Sequence, residues 1–378
     1  MTETSVRHSD LTTLGAALQS QRTRSIDVVA PAKSLTVQGT AFVVKGLEPV
    51  ITLDGVTNPD GLYMPTSVGD EGIAAKLDIP IGYLRRMRTS APWLYDANVA
   101  SWLQADDRKF LMRLLRSDEP GGETAGVLRA FLSDSYRAID NFDVLLATLQ
   151  GMKDAGIVEP KITADLTDRR MYVKVAVPSI SALAPELLAG YRSPFTGQEG
   201  KDLPVVFAGL VISNSETGNG AFNITTRLEI QVCNNGVTIT ADAARKTHLG
   251  AKLDSGVVKY SDTTLRANLE LVKSQTTDAV RTFLDVDYLK AKIVELEAKA
   301  GVKVADPTVT IATVAKRLGF TKAQETDIMA HFITGGQLTA GGVMQAVTSA
   351  AQLQADGDGQ WDMEALAVPA LALAASLS

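Results

Sequence analysis

The stretch from Val205 to Gly236, VVFAGLVISNSETGNGAFNITTRLEIQVCNNG, decides the fold. Val205 to Ser213 and Phe222 to Val232 are long runs rich in β-branched residues, the composition that fits a pleated, half-buried surface. Asn214 to Gly220 (NSETGNG) between them supplies residues tolerant of turn dihedrals. Asn235-Gly236 carries the strongest short hairpin signal in the chain, because a tight two-residue turn needs φ > 0 at both positions. Long strands joined by turns this short run antiparallel.

Working outward, Val127 to Leu132 reads as another strand, and Ile157–Leu166 and Met171–Val177 flank Asp168-Arg169 as a strand pair. Phe142 to Lys153 has helical spacing, with Asn141 as its cap and Gly156 beyond its end. Residues 121–262 are therefore expected to form an antiparallel-sheet core. Residues 1–62 read as a β-rich N-terminal extension. A short helix is expected over 11–24, with strands at Leu35–Val37, Ala41–Val44 and Val50–Leu53 between Gly39, Gly46 and Asp54-Gly55.

At Thr66 the apolar period changes from 2 to 3.6. Ile73, Leu77, Tyr83, Leu84 and Met87, then Trp93, Val99, Trp102, Leu103 and Phe110 to Leu115, predict a helical segment over 63–120 that ends at Ser117–Gly122. After Asp262 the residues up to Ala300 contain no Gly or Pro, and one long helix is expected, followed by shorter ones after Asp306-Pro307. Residues 263–352 would pack on the sheet, and residues 353–378, small and acidic, are expected to be a mobile tail. The fold class is α+β: a central antiparallel sheet packed by long helices, with a helical insertion and a helical C-terminal region.

Composition narrows function by exclusion. The 378 residues are enough to bury a large core without staples, and a single cysteine, Cys233, cannot form an internal disulfide. The polar N-terminus has no signal-peptide pattern, and the apolar run Ala365–Leu377 is too short to cross a bilayer. A bacterial cytoplasmic protein without membrane contact is expected. After Lys322 there is no Lys or Arg, while Glu325, Asp327, Asp356, Asp358, Asp362 and Glu364 follow. Without those six acids, 37 acidic residues face 37 basic ones, so the body is neutral and the C-terminal part carries the excess of −6. Such a segment suits either a solvated acidic surface or a tail that docks a protein partner.

No Walker loop, dinucleotide fingerprint or nucleophile elbow is present. His8, His248 and His331 lack metal spacing, and the Asp356–Glu364 acids depart from a calcium loop, with Trp361 where Gly is required. Cys233 reads as a strand-end thiol rather than a nucleophile served by His248. No cofactor and no metal are expected.

Two stretches suit nucleic acid. Glu71 to Met87 has the pattern of a helix-turn-helix, with Asp78–Pro80 as the turn and Tyr83, Arg85, Arg86 and Arg88 on the second helix; any helical hairpin gives the same pattern. Arg108, Lys109, Arg113 and Arg116 follow, with Trp93, Tyr95 and Trp102 interleaved, a mixture that suits single strands unless the aromatics belong to the core. Near the predicted hairpin, Arg227, Arg245, Lys246 and His248 add cationic and polar groups, the last three placed beyond the sheet.

Leu128 to Asn141 (LRAFLSDSYRAIDN), Gly209 to Gly220 (GLVISNSETGNG), Arg227 with Cys233-Asn234-Asn235-Gly236, and His248 together resemble the phage/plasmid-like protein family, which is defined by a domain of unknown function. Ile73–Met87 and Ala340–Gln352 also resemble it, so the likeness spans roughly residues 64–352. It implies carriage on phages and mobile elements but no reaction and no catalytic residues. A more distant, fold-level analogy joins it to phage single-strand annealing recombinases. The expectation is a homo-oligomeric protein that binds single-stranded DNA and assists annealing, recombination or replication, with Arg85, Arg86, Arg88, Arg137, Arg227, Arg245, Lys246 and His248 as contacts and Tyr136 as a stacking group. The alternatives are a phage structural or assembly protein without a nucleic-acid ligand, and a helix-turn-helix regulator that reads duplex DNA.

Overall fold

The computed structural model describes residues 5–47, 50–52, 55–117, 125–136, 138–202, 204–231, 235–246, 256–257 and 262–377. In chain order the elements begin with β1 (Val6–Ser9), α1 (Leu11–Arg24), β2 (Ser25–Pro31), β3 (Thr36–Gln38), β4 (Ala41–Val44), β5 (Val50–Thr52), β6 (Gly55–Thr57) and β7 (Gly61–Pro65). Three helices follow, α2 (Ser67–Leu77), α3 (Ile81–Ser90) and α4 (Pro92–Gln104), then β8 (Lys109–Leu115), β9 (Gly126–Ser133) and α5 (Asn141–Asp154). The long strands are β10 (Lys161–Leu166), β11 (Met171–Leu183), β12 (Val205–Asn214), β13 (Phe222–Ile230) and β14 (Asn235–Lys246), with a short β15 (Gly256–Val257) after them. The chain ends in helices α6 (Asp262–Phe283), α7 (Val286–Ala300), α8 (Pro307–Leu318), α9 (Lys322–Gly335), α10 (Ala340–Ala351), α11 (Gly357–Ala365) and α12 (Ala367–Ser376).

The expected class holds: the protein is α+β, with sheets packed against helices. Instead of one central sheet, the described residues form two large ones. The first is antiparallel throughout and runs β1-β10-β11-β12-β13-β14. The second runs β15-β2-β8-β9-β7-β4-β3, with β7 and β9 parallel. A parallel pair needs a crossover, and α2–α4 with β8 supply it. Residues 1–62 are thus shared between the sheets rather than standing apart, and β9 belongs to the second sheet rather than to the 121–262 core.

Alternation sorts the first sheet. Val173, Val175, Val206, Ala208, Leu210, Ile212, Ile224 and Leu228 point into one large core with residues of α5, α6 and α7, and that core continues into α10 and α12. The opposite face carries Tyr172 and Val211, covered by Trp361 of α11. The second sheet has its own core, in which Phe42, Phe110, Met112, Leu128 and Phe131 meet Ile73, Leu84, Met87, Tyr95 and Leu103 of α2–α4. Here α2 lies very close to β9. A Cβ on Gly69 would come 2.6 Å from the carbonyl oxygen of Leu128, and one on Gly72 would come 2.5 Å from that of Phe131. With that face of α2 fixed on the sheet, α3 is left on the outside.

Four expectations are corrected. Phe110 to Leu115 is strand β8, not helix. The 263–300 helix is broken between α6 and α7, where the Asp285 side chain accepts from the N–H groups of Asp287 and Tyr288 and starts a new helix. Asn235 pairs with Ile230 and Gly236 with Glu229, so both lie in β14 rather than in a two-residue turn. The tail is no mobile segment: α11 and α12 bury Met363, Glu364, Ala370, Leu371 and Ala374. No described helix is long and apolar enough to cross a membrane.

Candidate nucleic-acid interface

The Leu128–Asn141 and Gly209–Gly220 stretches meet in space, and their polar groups hold the two sheets together. Arg129 of β9 donates to Glu216 Oε2 at 2.6 Å, and the Asn141 backbone N–H donates to Glu216 Oε1. Asn214 Nδ2 donates to the Ile139 carbonyl and to Asn141 Oδ1, both at 2.8 Å. Arg113 of β8 donates to Asp27 at 2.8 Å, to Asp140 at 2.6 Å and to the Glu216 carbonyl at 3.2 Å. Burial alone would push the Glu216 carboxyl up, but Arg129 and Arg113 outweigh it and hold it below the ordinary value. Burial pushes Asp27 up in spite of Arg113. Asp143 is engaged by Arg22 at 2.6 Å. These carboxylates are paired with arginines, an arrangement that ties the 214–220 turn of the first sheet to the back of the second.

The predicted contacts separate when placed on this frame. Arg227 is buried and donates to Glu364 of α11, so it offers nothing to a phosphate. Arg245 and Lys246 are not beyond the sheet: they lie in β14, opposite Asn223 and Phe222. Tyr136 is half-buried, and its hydroxyl donates to the Ser215 carbonyl at 3.2 Å. Arg137 and His248 lie outside the described residues, as does Cys233. The basic run after α4 is dispersed, since Arg113 is in the inter-sheet network and Arg108 is bound to Asp106 at 2.6 Å.

What remains together is the outer face of α3 with the start of α4. Asp78 takes the left-handed conformation that ends α2, three residues before α3 begins. Leu84 and Met87 face inward. Gly82, Tyr83, Arg85, Arg86 and Thr89 are exposed, a stripe at helical spacing. Arg85 is steadied by Glu71 at 2.7 Å and by Ser67 Oγ at 2.8 Å. Arg86 has no ion-pair partner among the described residues. Arg88 is half-buried and bound to Asp70 at 2.6 Å, and burial pushes the Asp70 carboxyl up against that pairing. Glu71 also receives Arg169 at 2.5 Å; burial would raise it, but Arg169 and Arg85 together hold it low, so it stays an anion between two cations.

The aromatics divide differently from the apolar pattern. Tyr95 is buried, its hydroxyl donating to Asp70 at 3.1 Å. Trp93 is 72% exposed and Trp102 53%. Spacing groups them with the core, but at 100° per residue Trp93 and Trp102 fall on either side of the line through Tyr95, Val99 and Leu103. Tyr83, at 46% exposed, stands about one turn before Arg86 on α3, while Arg85 lies on the other flank of the helix. No group of three or more potential metal ligands occurs among the described residues. Comparison of the chain with protein-family models, with curated proteins and with solved structures gave no match in any of the three.

Proposed function

We propose that the protein binds single-stranded DNA through α3 and the start of α4, and assists annealing or recombination as a homo-oligomer. The observation that carries this reading is that Tyr83 of α3 and Trp93 of the next helix are exposed, as are Arg85 and Arg86 of α3. Single-strand binding needs cations that follow the backbone and flat rings on which bases stack; each stacked base contributes about 1–3 kcal/mol. One cation without a counter-ion, Arg86, and one shared with Glu71, Arg85, on a protein of net charge −6 predict weak binding per subunit, so avidity among subunits would have to raise it. The test is fluorescence anisotropy with a labelled single strand and the same sequence as duplex, at 50 and 200 mM salt. Binding that favours the single strand and falls with salt supports the reading. Absence of binding to both forms at low salt removes it.

A second reading rests on the same helix. α2, the turn at Asp78 and α3 have the order of a helix-turn-helix, and the exposed residues of α3 begin in its N-terminal half, where a recognition helix meets base edges. Preference for duplex of one sequence would select it.

A further inference from the structure

Arg85 of α3 and Arg169, in the turn between β10 and β11, meet at one oxygen. The Nη2 of each donates to Glu71 Oε1 of α2, at 2.7 and 2.5 Å. Two cations thus share one carboxylate, and the trio keeps a net positive charge. Arg169 is tied further into the first sheet, because its Nη1 donates to Asn219 Oδ1 at 3.2 Å. Arg85 is held through Nη2 alone, which also donates to Ser67 Oγ at 2.8 Å. Its Nε and Nη1 make no hydrogen bond among the described residues, and its side chain is 44% exposed.

The ion pairs of α3 differ in what their rupture leaves behind. Arg88 pairs with the buried carboxylate of Asp70, whose other donor is the neutral hydroxyl of Tyr95. Withdrawing Arg88 would leave a buried charge without a cation, the costly outcome for such a pair. Glu71 keeps Arg169 when Arg85 departs, and it is open to water as well. A half-exposed pair of this kind contributes little to stability. Arg85 is therefore the exchangeable cation of α3. Its planar fork fits a phosphate as well as a carboxylate, and the exchange strands no charge. Until the exchange is made, the Glu71 anion stands beside the position that a phosphate on Arg85 would take, and it opposes that phosphate by charge.

We propose that Glu71 is an internal competitor of the strand: it occupies Arg85 in the free protein, surrenders it to a phosphate of the bound strand, and keeps Arg169 throughout. The proposal rests on the nucleic-acid reading of α3 and names what restrains that site. It also separates the two exposed arginines. Arg86 has no counter-ion among the described residues and meets a phosphate at full strength, whereas part of what Arg85 gains is spent on displacing Glu71.

The test is fluorescence anisotropy of the full chain with a labelled single strand at 50 mM salt, each variant paired with a melting curve. Glu71→Gln keeps an acceptor oxygen for Arg169 and removes the competing charge, so binding should tighten about two- to fivefold, the equivalent of a half-exposed ion pair. The gain should be absent when Glu71→Gln is made in an Arg85→Ala background. A gain of equal size in that background is a general effect of net charge and overturns the proposal. Unchanged or weaker binding by a folded Glu71→Gln, with the wild type still binding, overturns it and leaves the α3 reading intact. If Glu71→Gln does not fold, the single variants decide. Arg85→Ala should then weaken binding less than Arg86→Ala, and an equal or larger loss overturns the proposal. No binding by the wild type or by any variant removes the α3 reading and the competitor with it.

Discussion

Arg227 on β13 and Glu364 on α11 form an ion pair in which the arginine side chain is 5% exposed and the glutamate 0%. Gln352 and Gln360 also donate to Glu364, at 3.2 and 2.8 Å, so its carboxylate is well supplied with donors. One contact thus removes Arg227 from any DNA surface and fixes the acidic C-terminal segment to the sheet. Removing one partner of a buried pair costs about 3–5 kcal/mol, because the other charge stays buried without compensation. Arg227→Ala should lower the free energy of unfolding measured in urea by that amount, and its DNA affinity at a folding temperature should match the wild type. The double replacement Arg227→Met with Glu364→Leu should recover most of the loss. A double variant no more stable than the single one would show that the pair is not isolated in this way.

The same pair sets a pH dependence. Burial would raise the Glu364 carboxyl, but Arg227 and then Lys174 hold it below its ordinary value of 4.5. A carboxylate whose folded-state pKa is depressed contributes stability that is complete above the unfolded value and is lost as pH falls through the folded one. In urea titrations the gap between wild type and Glu364→Gln should be constant from pH 7 to about 5 and close progressively below about 4.5. A gap that stays constant down to pH 3 would contradict the assignment.

Truncation at residue 352 should destabilise the protein severely. It removes Met363 and Leu371, both buried, together with Trp361, whose ring lies 5.4 Å from that of Tyr172, and it strands Arg227. Each large apolar side chain contributes about 1.5–3 kcal/mol on burial, against a total stability of about 5–15 kcal/mol. The truncated chain should show no cooperative thermal transition, or one lowered by more than about 10 °C. An unchanged melting temperature would return these residues to the mobile tail that their composition suggested.

Glu216 is the hinge pin between the two sheets, since it binds both Arg129 of β9 and the start of α5. Glu216→Ala leaves Arg129 without its carboxylate and weakens the tie between the two cores. Calorimetry should then resolve two transitions where the wild type shows one. A single transition at lower temperature would mean that the cores are coupled by other contacts.

The legible parts of the fold are those where local pattern and final environment agree. β12 and β13 are rich in β-branched residues, and α8 carries its periodicity and its Asp306 cap in its own residues, whereas α5 keeps the expected periodicity but begins at Asn141 itself, after Asp140, which makes no side-chain cap. β8 was not legible because Phe110 to Leu115 is buried on both faces, so the alternation that marks a strand is missing. The one charge within Phe110–Leu115, Arg113, is paired with Asp27 of β2. The break before α7 needs no Gly or Pro, because Asp285 makes the cap with its side chain. For the interface, charge did not separate Arg86 from Arg227: the partner that buries Arg227 lies 137 residues away in the chain. The carboxylate that Arg85 shares with Arg169 joins α2 to a turn 98 residues away, and no local motif announces it.

The remaining prediction concerns α3 itself. Arg86 is exposed and makes no ion pair among the described residues, so replacing it with Ala should change stability by less than about 0.5 kcal/mol. If it neutralises one phosphate of a single strand, its loss should flatten the slope of log affinity against log salt by about 0.7. Trp93→Ala should behave differently: a stacking ring contributes little to the salt term, so affinity should fall by about 1–3 kcal/mol with the slope unchanged. Arg88→Ala is the control, because Arg88 is bound to the buried Asp70 and its loss should appear in the melting temperature. Anisotropy titrations of the three variants over 50–200 mM salt, each paired with a melting curve, separate these outcomes. If Arg86→Ala and Trp93→Ala both bind with wild-type affinity and slope, the outward face of α3 is not the contact surface.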